Sequence, residues 1–159
     1  MPLPTTFSLD SFVQGAFEGK NDTRYLRLEA PKVYRAQVIG PFGEERKTKL
    51  RVTDKGQLIL DVVWLPEDEE QRMRLGVLQL PTARQSVFLD VTAQGGLDMS
   101  EYKNGSLGRL REALDLNREG QRWGFADFVG KTALIKVENS PNEADPMNPY
   151  QNVNAVTHV

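Results

Sequence analysis

The stretch KTKLRVTDKGQLILDVVW, Lys47 to Trp64, decides the fold class. Its first half alternates, with Lys47, Lys49, Arg51 and Thr53 on one parity and Thr48, Leu50 and Val52 on the other. A period of two with one polar side marks a strand with one wet face. Asp54-Lys55-Gly56 interrupts the run and supplies glycine where a turn needs a positive φ. Beyond it Leu58, Leu60, Val62 and Trp64 share a parity, and Ile59 and Val63 on the opposite parity are apolar too. The second strand is therefore expected to be covered on both faces. The unit is a hairpin, Lys47–Thr53 basic on one face and Gln57–Leu65 buried.

Strand signals continue on both sides of the hairpin. In VYRAQVIG, from Val33, Tyr34, Ala36 and Val38 alternate with Arg35 and Gln37, and Pro41-Phe42-Gly43 closes the run. PEDEEQ, 66–71, reads as an acidic loop and RMRLGVLQLP, 72–81, as a strand of uncertain regularity. QSVFLDV, 85–91, alternates Val87, Leu89 and Val91 against Ser86, Phe88 and Asp90. The glycine-rich segment 92–105 reads as a loop. SLGRLREALDLN, 106–117, is the clearest helix, with Ser106 as N-cap and Leu107, Leu110 and Leu114 at helical spacing. WGFADFVG, 123–130, is an aromatic knot in which Trp123, Phe125 and Phe128 are spaced to plug a barrel. Strands are expected at 131–139 and 152–159, separated by a proline-rich loop. Five to seven strands, short connections and one late helix imply a mainly β chain, an antiparallel OB-fold-like barrel with its helix inserted before the last strands. Residues 1–31 are expected to form an arm packed on the barrel, and 32–159 the barrel domain.

Composition narrows the chemistry. The chain has 159 residues, no cysteine and one histidine, His158. Disulfides, thiolate metal sites and cysteine nucleophiles are excluded, and so is a multi-histidine metal site. Asp90, Asp98 and Glu101 have no spacing that fixes a metal geometry, and there is no phosphate-cradling glycine motif. No enzyme activity, cofactor or metal is expected. No segment is long and apolar enough to span a membrane, and MPLPTTFSLDSFV lacks the regions of a signal peptide, so a membrane partner is not expected and a cytoplasmic location is.

The net charge of −2 demands no nucleic-acid partner, but a binding face needs only a few well-placed cations. Single-strand binders combine a positive groove with aromatic rings on which bases stack. The candidates are Arg35, Lys47, Lys49, Arg51 and Lys55 on the early strands, Arg72 and Arg74 beyond them, and Phe42 in a loop between basic strands. The same alternation is also what any half-wet sheet presents.

Four blocks carry a resemblance. APKVYRAQVIG, 30–40, the stretch FLDVTAQGGLDMSEYKNGSLGRLREALDLN, 88–117, and FADFVGKTALIKVENSPNE, 125–143, with the closing NPYQNVNAVTHV, resemble in order the motifs of a family of phage-encoded, single-stranded-DNA-binding-like proteins. The resemblance implies an OB-fold barrel that coats single-stranded DNA in phage replication or recombination, in the host cytoplasm, beside other replication or recombination proteins. It supplies no catalytic residues. The matched Leu107, Gly108, Leu110 and Gly130 read as structural, so the candidate site rests on parity. Many single-strand binders end in an acidic tail, whereas this chain ends NAVTHV. The competing expectation is a non-enzymatic protein-interaction module on the same barrel. Oligomeric state is not legible.

Overall fold

The computed structural model describes residues 2–159. Its strands are β1 (Lys32–Val38), β2 (Lys49–Val52), β3 (Leu58–Glu67), β4 (Ala83–Leu89), β5 (Thr132–Ser140) and β6 (Tyr150–Thr157). The helices are α1 (Leu9–Gln14), α2 (Glu69–Leu75) and α3 (Gly105–Ala113), with a 3₁₀ turn at Phe125–Phe128. The strands form one sheet, ordered β2-β3-β1-β5-β6, with β4 on the other edge of β3. Every pairing is antiparallel. This is the path of the OB-type barrel, with α3 between β4 and β5 as expected.

The long strand β3 organises the barrel. One edge pairs with β4 from Leu58 to Trp64; the other pairs first with β2 and then with β1. Between β1 and β2 the chain loops out, and Thr48 closes the gap. Its backbone N–H donates to the Ile39 carbonyl at 3.1 Å, and its fully buried hydroxyl accepts the Val63 N–H at 3.1 Å. A side chain thus stands in for a missing ladder partner, as a buried N–H requires. The Asp54-Lys55-Gly56 turn is as expected, with Gly56 at φ 81°.

The barrel core is filled from Tyr34, Ala36 and Val38 of β1, Leu60, Val62 and Trp64 of β3, Val87 of β4, Ile135 and Val137 of β5, and Leu107 and Leu110 of α3. Trp123, Phe125 and Phe128 form the expected plug, with Trp123 stacked on Phe128 at 5.9 Å between centroids. The buried Arg111 guanidinium lies 3.9 Å over the Trp123 ring, and its Nε donates to the Leu116 carbonyl at 2.9 Å. Burial lowers its pKa from the usual arginine value, and the ring and carbonyl contacts make it a packing group.

Three expectations need correction. Residues 66–75 are neither an acidic loop nor a strand: β3 runs on to Glu67 and α2 follows. Asp68 is the N-cap and accepts the Gln71 N–H at 3.1 Å, and Gly76 ends the helix at φ 68°. Asp68-x-x-Gln71 with Glu69 and Glu70 in the first turn is a helix start, and it outweighs the loose alternation that follows. The N-cap of α3 is Asn104, not Ser106. Asn104 Oδ1 accepts the Asp90 N–H at 2.8 Å, and its Nδ2 donates to the carbonyls of Asp90 and Asp98, both at 2.9 Å. It pins the glycine loop to the helix. Third, the arm packs only near its end. Asn148 and Gln151 bond the backbone of Thr23, Tyr25 and Leu28, but α1 buries nothing and Phe12 and Phe17 are exposed.

A buried polar network fastens α2. Gln71 is fully buried; its Nε2 donates to the Tyr34 hydroxyl at 2.8 Å, and its Oε1 accepts the Glu29 N–H at 2.9 Å. The Tyr34 hydroxyl donates to the Glu29 carbonyl at 2.5 Å. The Lys32 ammonium bonds Asp68 and holds that carboxyl below the usual carboxylate range. Gln71→Leu leaves the Glu29 N–H unpaired and is expected to cost about 1–3 kcal/mol in urea unfolding. An unchanged midpoint would show that water replaces the amide without loss.

Candidate nucleic-acid interface

Directly paired residues of antiparallel strands share a face. The outer face of β2, β3 and β4 therefore reads as rows. Lys49, Asp61 and Ser86 form one; Arg51, Ile59 and Phe88 form the next; Val63 and Arg84 lie in a third. Phe88 is 58% exposed, a large aromatic ring on the open face of the edge strand β4. Three-stranded support from a fully paired β3 makes this a rigid platform.

Asp61 sits at its centre with its side chain wholly buried. It accepts from Arg51 Nε at 2.5 Å and from Ser86 Oγ at 2.9 Å. A carboxylate removed from water needs both partners. Arg51 keeps 39% of its side chain exposed, so it bonds Asp61 while the rest of its side chain is open to solvent. Lys47, Lys49 and Arg84 meet around a shallow pocket of about 190 Å³ whose lining includes Arg46, Glu45, Asp61 and Val63. Among the described residues, Lys47, Lys49, Lys55 and Arg84 form no ion pair.

The structure brings together part of the expected set. Lys47, Lys49 and Arg51 lie on the platform, and Lys55 stands exposed on the turn at its end. Arg35 is on the outer side of β1 but pairs with Glu67 at 3.8 Å, beyond the platform. Arg72 and Arg74 are not strand residues two apart. They lie in the last turn of α2, where Arg72 pairs with Glu69, and Arg74 with Glu29 at 2.5 Å and with Glu70 at 3.9 Å. Their charges are shared with carboxylates at the surface of α2 and the arm. Phe42 is half-buried and stacks on Phe125 at 6.4 Å, so it extends the aromatic plug and is not a free stacking ring.

Two residues were missed. Arg84 and Phe88 occupy the polar parity of β4, opposite Val87 and Leu89. A phenylalanine on the wet parity was the available signal. What sequence could not supply was the register that sets Phe88 beside Ile59 and Arg51. Among the described residues, no cluster of histidine, aspartate and glutamate could hold a metal ion. Among the described residues, no helix is long and apolar enough to cross a membrane. In comparison with known proteins, the chain matches no family model and no curated protein.

Proposed function

We propose that the chain binds single-stranded DNA without sequence preference on the outer face of β2, β3 and β4. The observation that carries the reading is the juxtaposition of exposed Phe88 with Lys47, Lys49, Arg51 and Arg84 on one rigid face. Cations track the phosphates and a ring takes a base, the design that tolerates any sequence because every base has a π-face. The resemblance of the 88–143 blocks to phage single-strand binders supports the same reading and a role in replication or recombination.

Titration of oligo-dT in a salt series tests it. With three to four phosphates neutralised, log K should fall against log salt with a slope of roughly −2 to −3. No binding at micromolar protein in low salt would sink the proposal. Phe88→Ala should weaken binding by about 1–3 kcal/mol, the worth of one stacked base, without lowering the melting temperature. Phe42→Ala should do the reverse, since its ring packs on Phe125. Swapped outcomes would move the stacking site.

One observation favours a second reading, a protein-interaction module. Phe7, Phe12 and Phe17 of the arm form a contiguous aromatic cluster, with centroid spacings of 5.4 and 5.3 Å, that stands off the barrel. A partner retained after nuclease treatment by the full chain, and lost with Phe12→Ser and Phe17→Ser, would support it.

A further inference from the structure

The barrel is not closed by a ladder. Because each pairing along β4-β3-β1-β5-β6 is antiparallel, β4 and β6 run in the same direction, and they face one another without pairing. Between them lies a groove of about 730 Å³, closed at its base by α3 and lined from Arg84 to Val87, by Ser106, Arg109 and Leu110, and by all of β6. The chain carries 22 acidic residues, yet none lines this groove. The nearby Glu138 is held by Asn154 Nδ2 at 2.7 Å and by Lys136 at 3.1 Å. What the lining offers is two exposed cations, Arg84 and Arg109, the exposed ring of Tyr150, the Gln85 amide nitrogen and the Thr157 hydroxyl. Arg109 bonds only Ser106, at 3.1 Å, among the described residues.

Arg84 belongs to both surfaces. It lines the platform pocket with Lys47 and Lys49, and it lines the β4–β6 groove. We infer that single-stranded DNA leaving the platform turns over Arg84 and continues along the β4–β6 seam, with Arg109 taking a phosphate and Tyr150 stacking a base. The inference rests on the platform reading and extends it to a second subsite. A polyanion fits a trough without carboxylates, and donors on both unpaired edges are free for phosphate or base. A peptide strand could pair with the open edges, but it would need acidic side chains to engage Arg84 and Arg109, which a phosphate backbone supplies at every step.

The absence of cysteine makes the test specific. Ser106→Cys carrying a photo-crosslinker reports on the seam alone. OB-type sites cover roughly 4–16 nucleotides, so oligo-dT of about 5 and about 15 residues separate the subsites. The longer oligonucleotide should crosslink to position 106 and the shorter should not. Arg109→Ala with Tyr150→Ala should weaken the longer one about tenfold or more and leave the shorter unchanged. If both oligonucleotides bind, but position 106 does not crosslink and the paired substitution has no effect, the seam is overturned and the platform stands. That is also the result expected if a protein strand fills the seam. If neither oligonucleotide binds, the platform reading falls and the seam with it.

Discussion

A chain carrying Lys47→Gln, Lys49→Gln and Arg84→Gln is expected to bind oligo-dT on the order of a hundredfold more weakly, because solvent-exposed ion pairs contribute up to about 1 kcal/mol each and three are removed. The salt slope should flatten by about 2, since each cation contributes roughly 0.7 on a single strand. The fold should be indifferent. Lys47, Lys49 and Arg84 make no ion pair among the described residues, so their removal belongs with surface changes of about ±0.5 kcal/mol. Glutamine is preferred to glutamate because a carboxylate at position 49 would lie directly opposite buried Asp61. Arg72→Gln with Arg74→Gln is the control, expected to leave affinity within about twofold because both side chains are committed to glutamates. A triple variant with an unchanged salt slope would remove this face from the binding site.

How far the sequence reaches is clear from particular segments. The hairpin was legible because its pattern is strictly local: alternation, a glycine turn and a doubly apolar run each dictate their own geometry. The aromatic plug was legible for the same reason. Residues 66–75 misled because two local signals compete there, an N-cap with acidic first turn against a weak alternation in RMRLGVLQL. The hydrogen bond from the Gln71 N–H to Asp68, and the burial of Gln71 against Tyr34, decide the contest. The arm's Phe7, Phe12 and Phe17 suggested packing by composition alone. They do cluster, but with one another and off the barrel.

The candidate site was half legible, and the division has a physical cause. Parity along one strand places Lys47, Lys49 and Arg51 on one face. It cannot say which residues of other strands join them, because that depends on register across β3. Register brings in Phe88 and Arg84, and folding removes Phe42, Arg72 and Arg74 by giving each an internal partner. Parity is equally blind to the difference between Lys49, whose charge is free, and Arg51, whose charge is shared with Asp61.

That difference yields the largest expected stability effect. Arg51→Ala should lower stability by about 3 kcal/mol, the lower end for breaking a buried pair. For a chain of this size the melting temperature should drop by roughly 6–12 °C. The cause is asymmetry. Asp61 is wholly buried and would keep only Ser86 Oγ at 2.9 Å, whereas Arg51 is 39% exposed and can turn to water if its partner is lost. Asp61→Asn should therefore cost less than Arg51→Ala. Replacing both, as Arg51→Met with Asp61→Leu, should recover most of the loss, since an apolar pair needs no compensation. Thermal melts of the three variants decide the matter, and equal single losses that simply add in the double would refute the buried-pair account. The pair also bears on binding. Asp61 fixes Arg51 in the row of Ile59 and Phe88, so Asp61→Asn should leave a stable protein whose guanidinium is less constrained. Its affinity for oligo-dT should then rise and its salt slope steepen by up to about 0.7, because the guanidinium no longer shares its charge with a carboxylate.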